Sequence, residues 1–464
     1  MAAADRTAGG ELSATLVGKH AEWIANLRYE DLPPATIDMA KLCIIDFLGL
    51  ALKGSTLPQV KPVFALLDAL GARPECSVAG TDVRTTLPYA AFANATFGHS
   101  CEYDDSHIDC GHPGVCVIPS LLAFAERDGL SGADFLTAMV AGYQTMSIVT
   151  GPIHGQMVKL GWHGTKVAGP FGAAAAIGKA LGMPAIQIAN ALAVSASDAS
   201  GTTEYDQSGG EVKRFHAGLA ARSGVVAALL AQAGLTGPLT ILEGPRGITT
   251  LFSAGAPPIA KDFWDGEFHM LRTMFKLYPA AGTLHAALDA LRAIQARTPF
   301  EPDDIETIEV GLIDWGLLHG AAIVHPVDAI SAQFSLGFSL GLRLTTGASE
   351  MDDYMSKARW DDPAILAVSR KVRPFAMPMP AGACPLFADV TVRLKDGRSD
   401  HEFQGAPRGH PENPPTRQDI EDKFHSVVRG LLDPDAANAL VATVHDLENK
   451  ANVADLMAPL LRRA

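Results

Sequence analysis

The 464-residue sequence has few of the features that would assign it to a secreted or membrane-bound class. Its six cysteines show no regular spacing, which favours reduced, buried thiols over a disulfide framework. No apolar run reaches the roughly 18 residues of a membrane-spanning helix. The first residues contain no basic segment followed by an apolar one, as a secretory signal would. We therefore expect a cytoplasmic protein that does not bind membranes.

Positive charge is also scarce. The chain has 37 Lys and Arg residues against 51 Asp and Glu, giving a net charge of −14. This balance argues against nucleic acid or an anionic membrane as a partner, although a local basic pocket can still bind a small anion. Hydrophobic residues make up 48% of the chain, enough for substantial cores, and the length favours two domains.

Motifs for common cofactors are missing from the sequence. No Gly-x-Gly-x-x-Gly follows a strand pattern, and neither a P-loop nor a Gly-x-Ser-x-Gly elbow occurs. The cysteines do not have the spacing of an iron–sulfur site. We expect acid/base chemistry that uses no organic cofactor and no metal.

One stretch, by contrast, is dense in titratable groups. Imidazoles and carboxylates crowd between positions 99 and 113: His99, Glu102, Asp104, Asp105, His107, Asp109 and His112. These groups transfer protons near neutral pH, and the apolar runs on both sides predict burial, which shifts pKa values. Two alternatives stay open. Asp104 or Asp105 could simply cap a helix, and interspersed cysteines could bind metal, although the spacings match no closed zinc pattern.

Two further segments carry polar groups in apolar surroundings. His163 precedes a predicted helix, whose first amides suit a carboxylate or phosphate; a buried core histidine is the alternative. Lys213 and His216 are three residues apart and share one helix face. Such a lysine can bind a substrate carboxylate or act as a base, and a solvated first turn is the alternative.

A third segment combines Lys276 with the nearby His285. We predict a helix over 280–297, with His285 on one face and leucines on the other. A helix with one polar side chain is the simpler interpretation of this pattern.

Helical periodicity dominates the first part of the chain. A stripe of small residues, four apart, predicts one helix that allows close helix packing: Gly164, Ala168, Gly172, Ala176 and Ala180. The segment 201–210 has the composition of a loop that is functional or mobile.

The pattern changes after about residue 265. Alternating residues predict strands over 305–312 and 388–394, and Lys395–Arg398 indicates a hairpin turn. A helix is predicted over 327–342, and later helices over 416–432 and 435–463.

These patterns predict a mainly α fold with an α+β insert. We expect a disordered segment at 1–10, a helical domain formed by 11–265 and 405–464, and a smaller α+β lid domain at 266–404.

The motifs together resemble the MmgE/PrpD family over residues 12 to 460. The resemblance rests on these segments: the acidic motif at 102–107 with His112-Pro113, Gly-Trp-His-Gly-Thr at 161–165, Lys-x-x-His-x-Gly at 213–218, Lys276-x-Tyr278-Pro279, and the Gly-His-Pro at 409–411. It implies a large helical domain built from both termini, a smaller α+β lid and a homodimer. It also implies a site at the domain junction, no cofactor, and substrates with two or three carboxylates.

The resemblance implies site residues at Glu102, Ser106, His112, His163, Lys213 and His285. Of these we expect Glu102, His112, His163 and Lys213 to be catalytic. The expected substrate contacts are Ser106 and His285, together with Asp105, Thr165 and Lys276. We expect Lys213, His163 and amides near Thr165 to hold carboxylates, and His112, oriented by Glu102 or Asp105, to transfer a proton. The family usually has aspartate at position 102 and threonine at 106. Related decarboxylases are expected to carry tyrosine where this chain has Phe338.

The family reactions share charge development on a carbon next to a carboxylate. We expect a hydro-lyase of the 2-methylcitrate dehydratase type. The alternatives are an epimerase of the iminodisuccinate type and a decarboxylase of the cis-aconitate type. A non-catalytic dimer that binds polycarboxylates is the alternative from a different class.

Overall fold

The structure, a computed structural model, describes residues 12–205, 210–258 and 266–462. The predicted disordered segment 1–10 lies outside these residues, as do positions 206–209 of the predicted loop. Within the described part of the chain, no helix is both long and apolar enough to cross a membrane.

Helices form most of the described chain. Among the described residues, the α-helices of five or more residues are Leu16–Asn26, Pro34–Ser55, Lys61–Leu70, Leu87–His99, Gly114–Asp128, Gly132–Thr150, His154–Lys159, Gly164–Ala180, Ala185–Ser195, Val212–Gln232, Ile248–Phe252, His285–Arg297, Ala329–Phe334, Leu336–Thr346, Pro363–Ser369, Arg417–Val428 and Pro434–His445. The predicted helix with the stripe of small residues is confirmed as Gly164–Ala180.

Four strands form the largest sheet, in the spatial order Val372–Ala376, Ile305–Leu312, Ala388–Leu394, Ser399–Gln404. The first pair is parallel and the other two pairs are antiparallel. The two predicted strands are confirmed, and Gly397 adopts a positive φ of 88° in the turn that joins the last two. The prediction of a mainly α fold with an α+β portion is confirmed.

The chain divides into two compact units. Unit 1 contains the described residues within 1–100, 104–273 and 420–464, and unit 2 those within 101–103 and 274–419. Unit 1 is mainly helical and includes the short antiparallel pair Cys76–Ser77 and Arg84–Thr85. Unit 2 contains the four-stranded sheet. The domain limits expected from the sequence stay a prediction.

The core of unit 1 depends on close approach between helices. A Cβ on Gly172 would lie 2.4 Å from a side-chain carbon of Met146, and a Cβ on Gly142 would lie 3.0 Å from the Gly172 carbonyl oxygen. Any larger side chain at either position would push the helices Gly132–Thr150 and Gly164–Ala180 apart. The stripe of small residues therefore serves to bring two helix backbones together.

The core of unit 2 is formed between its sheet and its helices. Ile308 and Val310 of one strand and Val390 and Val392 of its neighbour are buried in the same cluster. Phe338 belongs to this cluster and is fully buried.

Four predicted helices differ from the structure. The helix predicted over 280–297 begins as an α-helix only at His285, and the helix predicted over 416–432 ends at Val428. The helix predicted over 327–342 is interrupted at Ser335, whose side chain instead accepts the amide of Phe338 as an N-terminal cap of the second helix. The helix predicted over 435–463 ends at His445. Beyond it the chain forms two 3-10 helices, Leu447–Asn449 and Ala454–Leu460, and between them the Val453 amide donates to the Leu130 carbonyl.

Candidate active site

Two imidazoles in unit 1 share one buried carboxylate. His99 is the last residue of the helix Leu87–His99. Asp104 Oδ2 lies 2.8 Å from His99 Nδ1 and 3.0 Å from His112 Nδ1. His112 Nδ1 is also 2.8 Å from the main-chain oxygen of Asp105. Both rings face acceptors at Nδ1, so each donates from that atom and keeps Nε2 for another partner.

The charges in this group follow from burial and contact. Burial alone would raise the pKa of Asp104, but His112 and His99 outweigh it and hold that pKa well below its usual range. Burial lowers the pKa of His99, although Asp104 acts in the opposite direction. At neutral pH Asp104 is therefore ionised and His99 neutral. His99 Nε2 and Asp104 Oδ1 are buried and have no hydrogen-bond partner among the described residues.

A second imidazole pair lies beside the first. His163 directly precedes the helix Gly164–Ala180, and its Nδ1 is 2.9 Å from Nδ1 of His216. The His163 ring stacks on that of His99 at 5.9 Å. Burial, followed by neighbouring positive charge, lowers the pKa of His163 well below its usual range and that of His216 to about 4. We call the four residues of the two pairs the site histidines: His99, His112, His163 and His216.

A lysine and a tyrosine adjoin these rings. Lys213 is buried, and its charge adds to the effect of burial in lowering the pKa of His99, His163 and His216. The ring of Tyr205 lies edge-on at 5.9 Å from both His163 and His216. Imidazoles grouped around a buried cation can bind carboxylates and transfer protons.

Arg214, the neighbour of Lys213, supports the loop that carries Asp104. Its side chain is 2% exposed. Nη1 donates to the main-chain oxygen of Ser100, and Nε lies 2.5 Å from Glu211 Oε2. Ser100 directly follows a helix, so the guanidinium interacts with the partly negative C-terminal end of that helix.

The carboxylate of Asp105 has a different environment from that of Asp104. The Tyr143 hydroxyl donates to its Oδ2 at 2.7 Å, and a main-chain N–H donates to its Oδ1 at 3.1 Å. The pKa of Asp105 is raised to about 7, chiefly by burial. The Tyr143 hydrogen bond opposes this rise, and the charge of Asp104 adds to it. The carboxylate that orients His112 is therefore that of Asp104, and Asp105 contributes only its main-chain oxygen.

Thr165 and Ser106 are the other predicted contacts in unit 1. The Thr165 hydroxyl accepts a hydrogen bond of 3.1 Å from the His112 amide, and its own amide lies against Gly111. Thr165 therefore fixes the main chain next to His112. Ser106 lies, half-buried, in the short strand Ser106–His107.

Glu102 and Lys276 form a buried ion pair within unit 2. Lys276 Nζ lies 2.7 Å from Glu102 Oε1 and 3.1 Å from its main-chain oxygen. Glu102 has a positive φ of 53°, a conformation that costs on the order of 1 kcal/mol for a residue with a Cβ. The double contact from Lys276 favours this strained turn.

His285 is the remaining predicted contact and also belongs to unit 2. It is the first residue of the helix His285–Arg297. Its Nε2 lies 3.2 Å from the Ala280 oxygen, and its ring meets that of Tyr278 edge-on at 5.2 Å. These contacts are typical of a buried histidine at a helix terminus, and the expected contact of His285 with substrate stays a prediction.

One described group, His99, Asp104 and His112, has donor atoms that could hold a metal ion. The separations of 2.8 and 3.0 Å between the carboxylate oxygen and the ring nitrogens are those of hydrogen bonds, and His112 Nδ1 also bonds a carbonyl. Protons therefore account for this geometry, and the absence of a metal stays a prediction.

Sequence reasoning did not assign three residues that the structure brings into the site. Asp104 and His99 belong to the titratable stretch, from which no catalytic or binding role was predicted for them. His216 belongs to the same motif as Lys213, and no role of its own was predicted either. The three-residue spacing of Lys213 and His216 was a usable signal for His216. No spacing rule predicts that Asp104 rather than Asp105 faces the imidazoles.

Comparison with known protein families identifies the fold family. The MmgE/PrpD N-terminal domain model matches residues 18–260, and the MmgE/PrpD C-terminal domain model matches residues 278–449. The chain belongs to the MmgE/PrpD family. The resemblance noted in the sequence is thereby confirmed.

Relatives of this MmgE/PrpD member include proteins named as cis-aconitate decarboxylases or as similar to them. The chain is 27% identical over 487 residues to the cis-aconitate decarboxylase-like protein oryM of Aspergillus oryzae, covering 99% of both chains. It is 26% identical over 467 residues to a cis-aconitate decarboxylase of Aspergillus terreus, covering 94% of both. The human cis-aconitate decarboxylase is 25% identical over 444 residues, covering 92% of this chain and 90% of the relative.

Proposed function

We propose that this protein is a carboxy-lyase that removes carbon dioxide from a small unsaturated tricarboxylate of the cis-aconitate type. The observation that carries the proposal is the group of four site histidines with Lys213 around the ionised Asp104. We prefer decarboxylation to the dehydration expected from the sequence because decarboxylase names recur among relatives that match at least 92% of this chain.

The reaction sets two requirements for the site. The bond between the carboxyl carbon and its neighbour breaks, and its electron pair stays on the carbon skeleton, delocalised over the adjacent double bond and carboxylate. A proton then adds to carbon, so each carbon dioxide released consumes one proton. The site must hold the remaining carboxylates and must deliver that proton.

We assign the proton transfer to His112. Asp104 and the Asp105 main chain hold its Nδ1, so Nε2 is the atom that can carry a proton to carbon, and the ionised Asp104 stabilises the imidazolium. Lys213 and His163 hold substrate carboxylates through charge and N–H donation. The roles expected for the other predicted residues stay predictions: Glu102, Asp105, Ser106, Thr165, Lys276 and His285.

Phe338 carries little weight against decarboxylation. Its side chain is fully buried in the core of unit 2, and its ring meets that of Tyr354 edge-on at 5.8 Å. The Phe338 ring therefore packs within the hydrophobic core of unit 2.

Proton NMR in deuterated buffer tests the proposal directly. The chelator-treated protein is incubated separately with cis-aconitate, 2-methylcitrate, citrate and iminodisuccinate. We expect cis-aconitate alone to lose a carboxyl group and to gain one deuterium on carbon. His112→Asn should reduce this rate by about a hundredfold or more, and an unchanged rate would remove His112 from its assigned role.

The same spectra distinguish the other reactions. New vinyl signals from a hydroxy acid would replace the proposal with a hydro-lyase, and deuterium exchange with inversion at a stereocentre would replace it with an epimerase. Tight binding of a tricarboxylate with no change in any spectrum would favour a binding protein.

Homodimer formation and a cytoplasmic location stay predictions from the sequence. Light scattering coupled to gel filtration measures the first, and a mass of one 48.8-kDa chain at micromolar concentration would contradict it.

A further inference from the structure

We propose that His216 is a positioning residue that holds His163 in the tautomer with its proton on Nε2. The inference rests on the proposed function in one respect, since it supposes that His163 faces an anionic substrate. Its geometric basis is the contact between the two Nδ1 atoms, and its spectroscopic test does not require turnover.

The 2.9 Å separation of His163 Nδ1 and His216 Nδ1 restricts the protons of both rings. Two neutral imidazoles can hydrogen-bond through these atoms only if one carries the proton and the other presents a lone pair. Burial keeps both rings neutral at pH 7, as the lowered pKa values indicate. The contact therefore couples the tautomers of the two rings, because the position of the proton on one ring determines its position on the other.

The surroundings of His163 decide which ring donates. Lys213 and the first amides of the helix Gly164–Ala180 make the region favourable for anions. An Nε2 lone pair of His163 would repel a carboxylate, whereas an Nε2–H would bind it. His216 must then donate Nδ1–H to His163 Nδ1, which leaves the proton of His163 on Nε2.

Local packing keeps His216 in place for this contact. It follows Lys213 by three residues on the helix Val212–Gln232, so the two side chains project from one face. A Cβ added to Gly201 would lie 3.3 Å from the His216 ring, and the Gly201 carbonyl accepts the His163 amide at 2.9 Å. The main chain at Gly201 therefore contacts both His163 and His216 and holds them in place.

Nitrogen NMR of the full chain, labelled with 15N only in histidine, measures the tautomer. His163→Asn identifies the His163 signals by their loss. We expect the free wild-type protein to show His163 protonated at Nε2, and His216→Phe to shift it toward a mixture of tautomers. His216→Asn, whose amide can replace Nδ1, should restore the wild-type pattern. Protonation of wild-type His163 at Nδ1 would overturn the inference.

Calorimetric binding of citrate, which serves as a tricarboxylate probe, tests the consequence. We expect His216→Phe to weaken citrate by the factor by which the Nε2-protonated fraction of His163 falls, about two- to tenfold, and His216→Asn to leave the affinity unchanged. His20→Asn is the matched control, because His20 is a buried histidine of unit 1 that contacts a hydroxyl. If His216→Phe changes neither the tautomer nor the citrate affinity, the inference is wrong.

The two proposals fail separately. A wild-type protein that neither binds citrate nor changes any acid contradicts the proposed function, yet its nitrogen spectrum still decides the tautomer of His163.

Discussion

Unit 1 contains two sets of histidines, all buried except the half-buried His112, that differ in their hydrogen-bond partners. Each site histidine contacts a titratable group, either Asp104 or another imidazole. The second set contacts hydroxyl or main-chain atoms: His20 bonds the Thr145 hydroxyl, His107 the main-chain oxygen of His269, and His269 the Ser147 hydroxyl. We call these three the core histidines.

Burial alone does not distinguish the two sets. It lowers the pKa of His20 to about 3 and that of His107 to about 4, as it lowers the pKa of His216. The difference lies in the hydrogen bonds just described, because a hydroxyl or a main-chain carbonyl does not exchange a proton with the imidazole near neutral pH, whereas a carboxylate or a second imidazole does. Charged neighbours act on both sets, since Asp109 raises the pKa of His107 against the effect of burial. A titratable hydrogen-bond partner therefore makes a histidine a candidate for catalysis, and a neutral partner makes it a candidate for a structural role.

The largest effect is expected at Asp104, on which the first site pair depends. Asp104→Asn keeps the shape but removes the charge and presents an N–H or a neutral oxygen to two donors. We expect kcat for the proposed reaction to fall by at least about a hundredfold, with KM changed far less. Steady-state kinetics measures both, and circular dichroism confirms that the variant is folded. A change in KM without a change in kcat would contradict the catalytic role that distinguishes the site histidines from the core histidines.

A smaller effect is expected at Arg214, whose partner Ser100 adjoins a site histidine. Arg214→Ala removes the donor that fixes the loop before Asp104 and should lower kcat about tenfold, a cost typical of one hydrogen bond to a charged group. Added guanidinium ion should restore part of the rate, since it can occupy the vacated space. If destabilisation alone explains the loss, guanidinium will restore nothing.

Asp105 differs from the neighbouring Asp104 in the direction of its pKa shift, and this difference can be tested through stability. Its folded pKa, raised to about 7, means that its contribution to stability is present at acid pH and is lost as pH rises through 7. Asp105→Asn should therefore gain stability relative to the wild type as pH increases. The gain should grow by about 1.4 kcal/mol per pH unit between about pH 4 and pH 7, and should level off above pH 7, where the carboxyl is ionised in both states. Urea unfolding from pH 4.5 to 8.5 measures it, and a difference that stays constant below pH 7 would contradict the raised pKa.

The smallest effect on the reaction is expected at a core histidine. His20→Asn removes the contact with Thr145 and the stacking of the ring on Trp23 at 5.4 Å. We expect a loss of about 1–2 kcal/mol in the free energy of unfolding and a kcat within about twofold of the wild type. A large loss of kcat in a fully stable variant would place His20 among the site histidines.

Periodicity predicted much of the fold, because buried strands and helices repeat their apolar residues at fixed intervals. The strand Ile305–Leu312 and the helix Gly164–Ala180 follow directly from such patterns. Periodicity cannot predict where a helix gives way to another hydrogen-bonding arrangement. The segment after His445 bonds to a loop more than 300 residues earlier in the chain, and no local pattern encodes that pairing.

The candidate site was predictable as a set of residue types but not as a set of contacts. Histidines, a lysine and carboxylates in apolar surroundings indicated acid/base chemistry. The choice between Asp104 and Asp105 depends on main-chain direction after Glu102, whose positive φ of 53° reverses the chain. A left-handed glutamate is not predictable from composition, because the residue types that favour this conformation are glycine and asparagine.

The grouping of residues 101–103 with unit 2, while residues 100 and 104 belong to unit 1, limits how this chain can recombine with its relatives. Gene exchange that transfers 274–419 as one continuous cassette would separate Lys276 from the Glu102 with which it is paired. A chimaera that carries the tripeptide together with the cassette keeps this pair intact. We expect it to be more stable than a chimaera that exchanges the cassette alone.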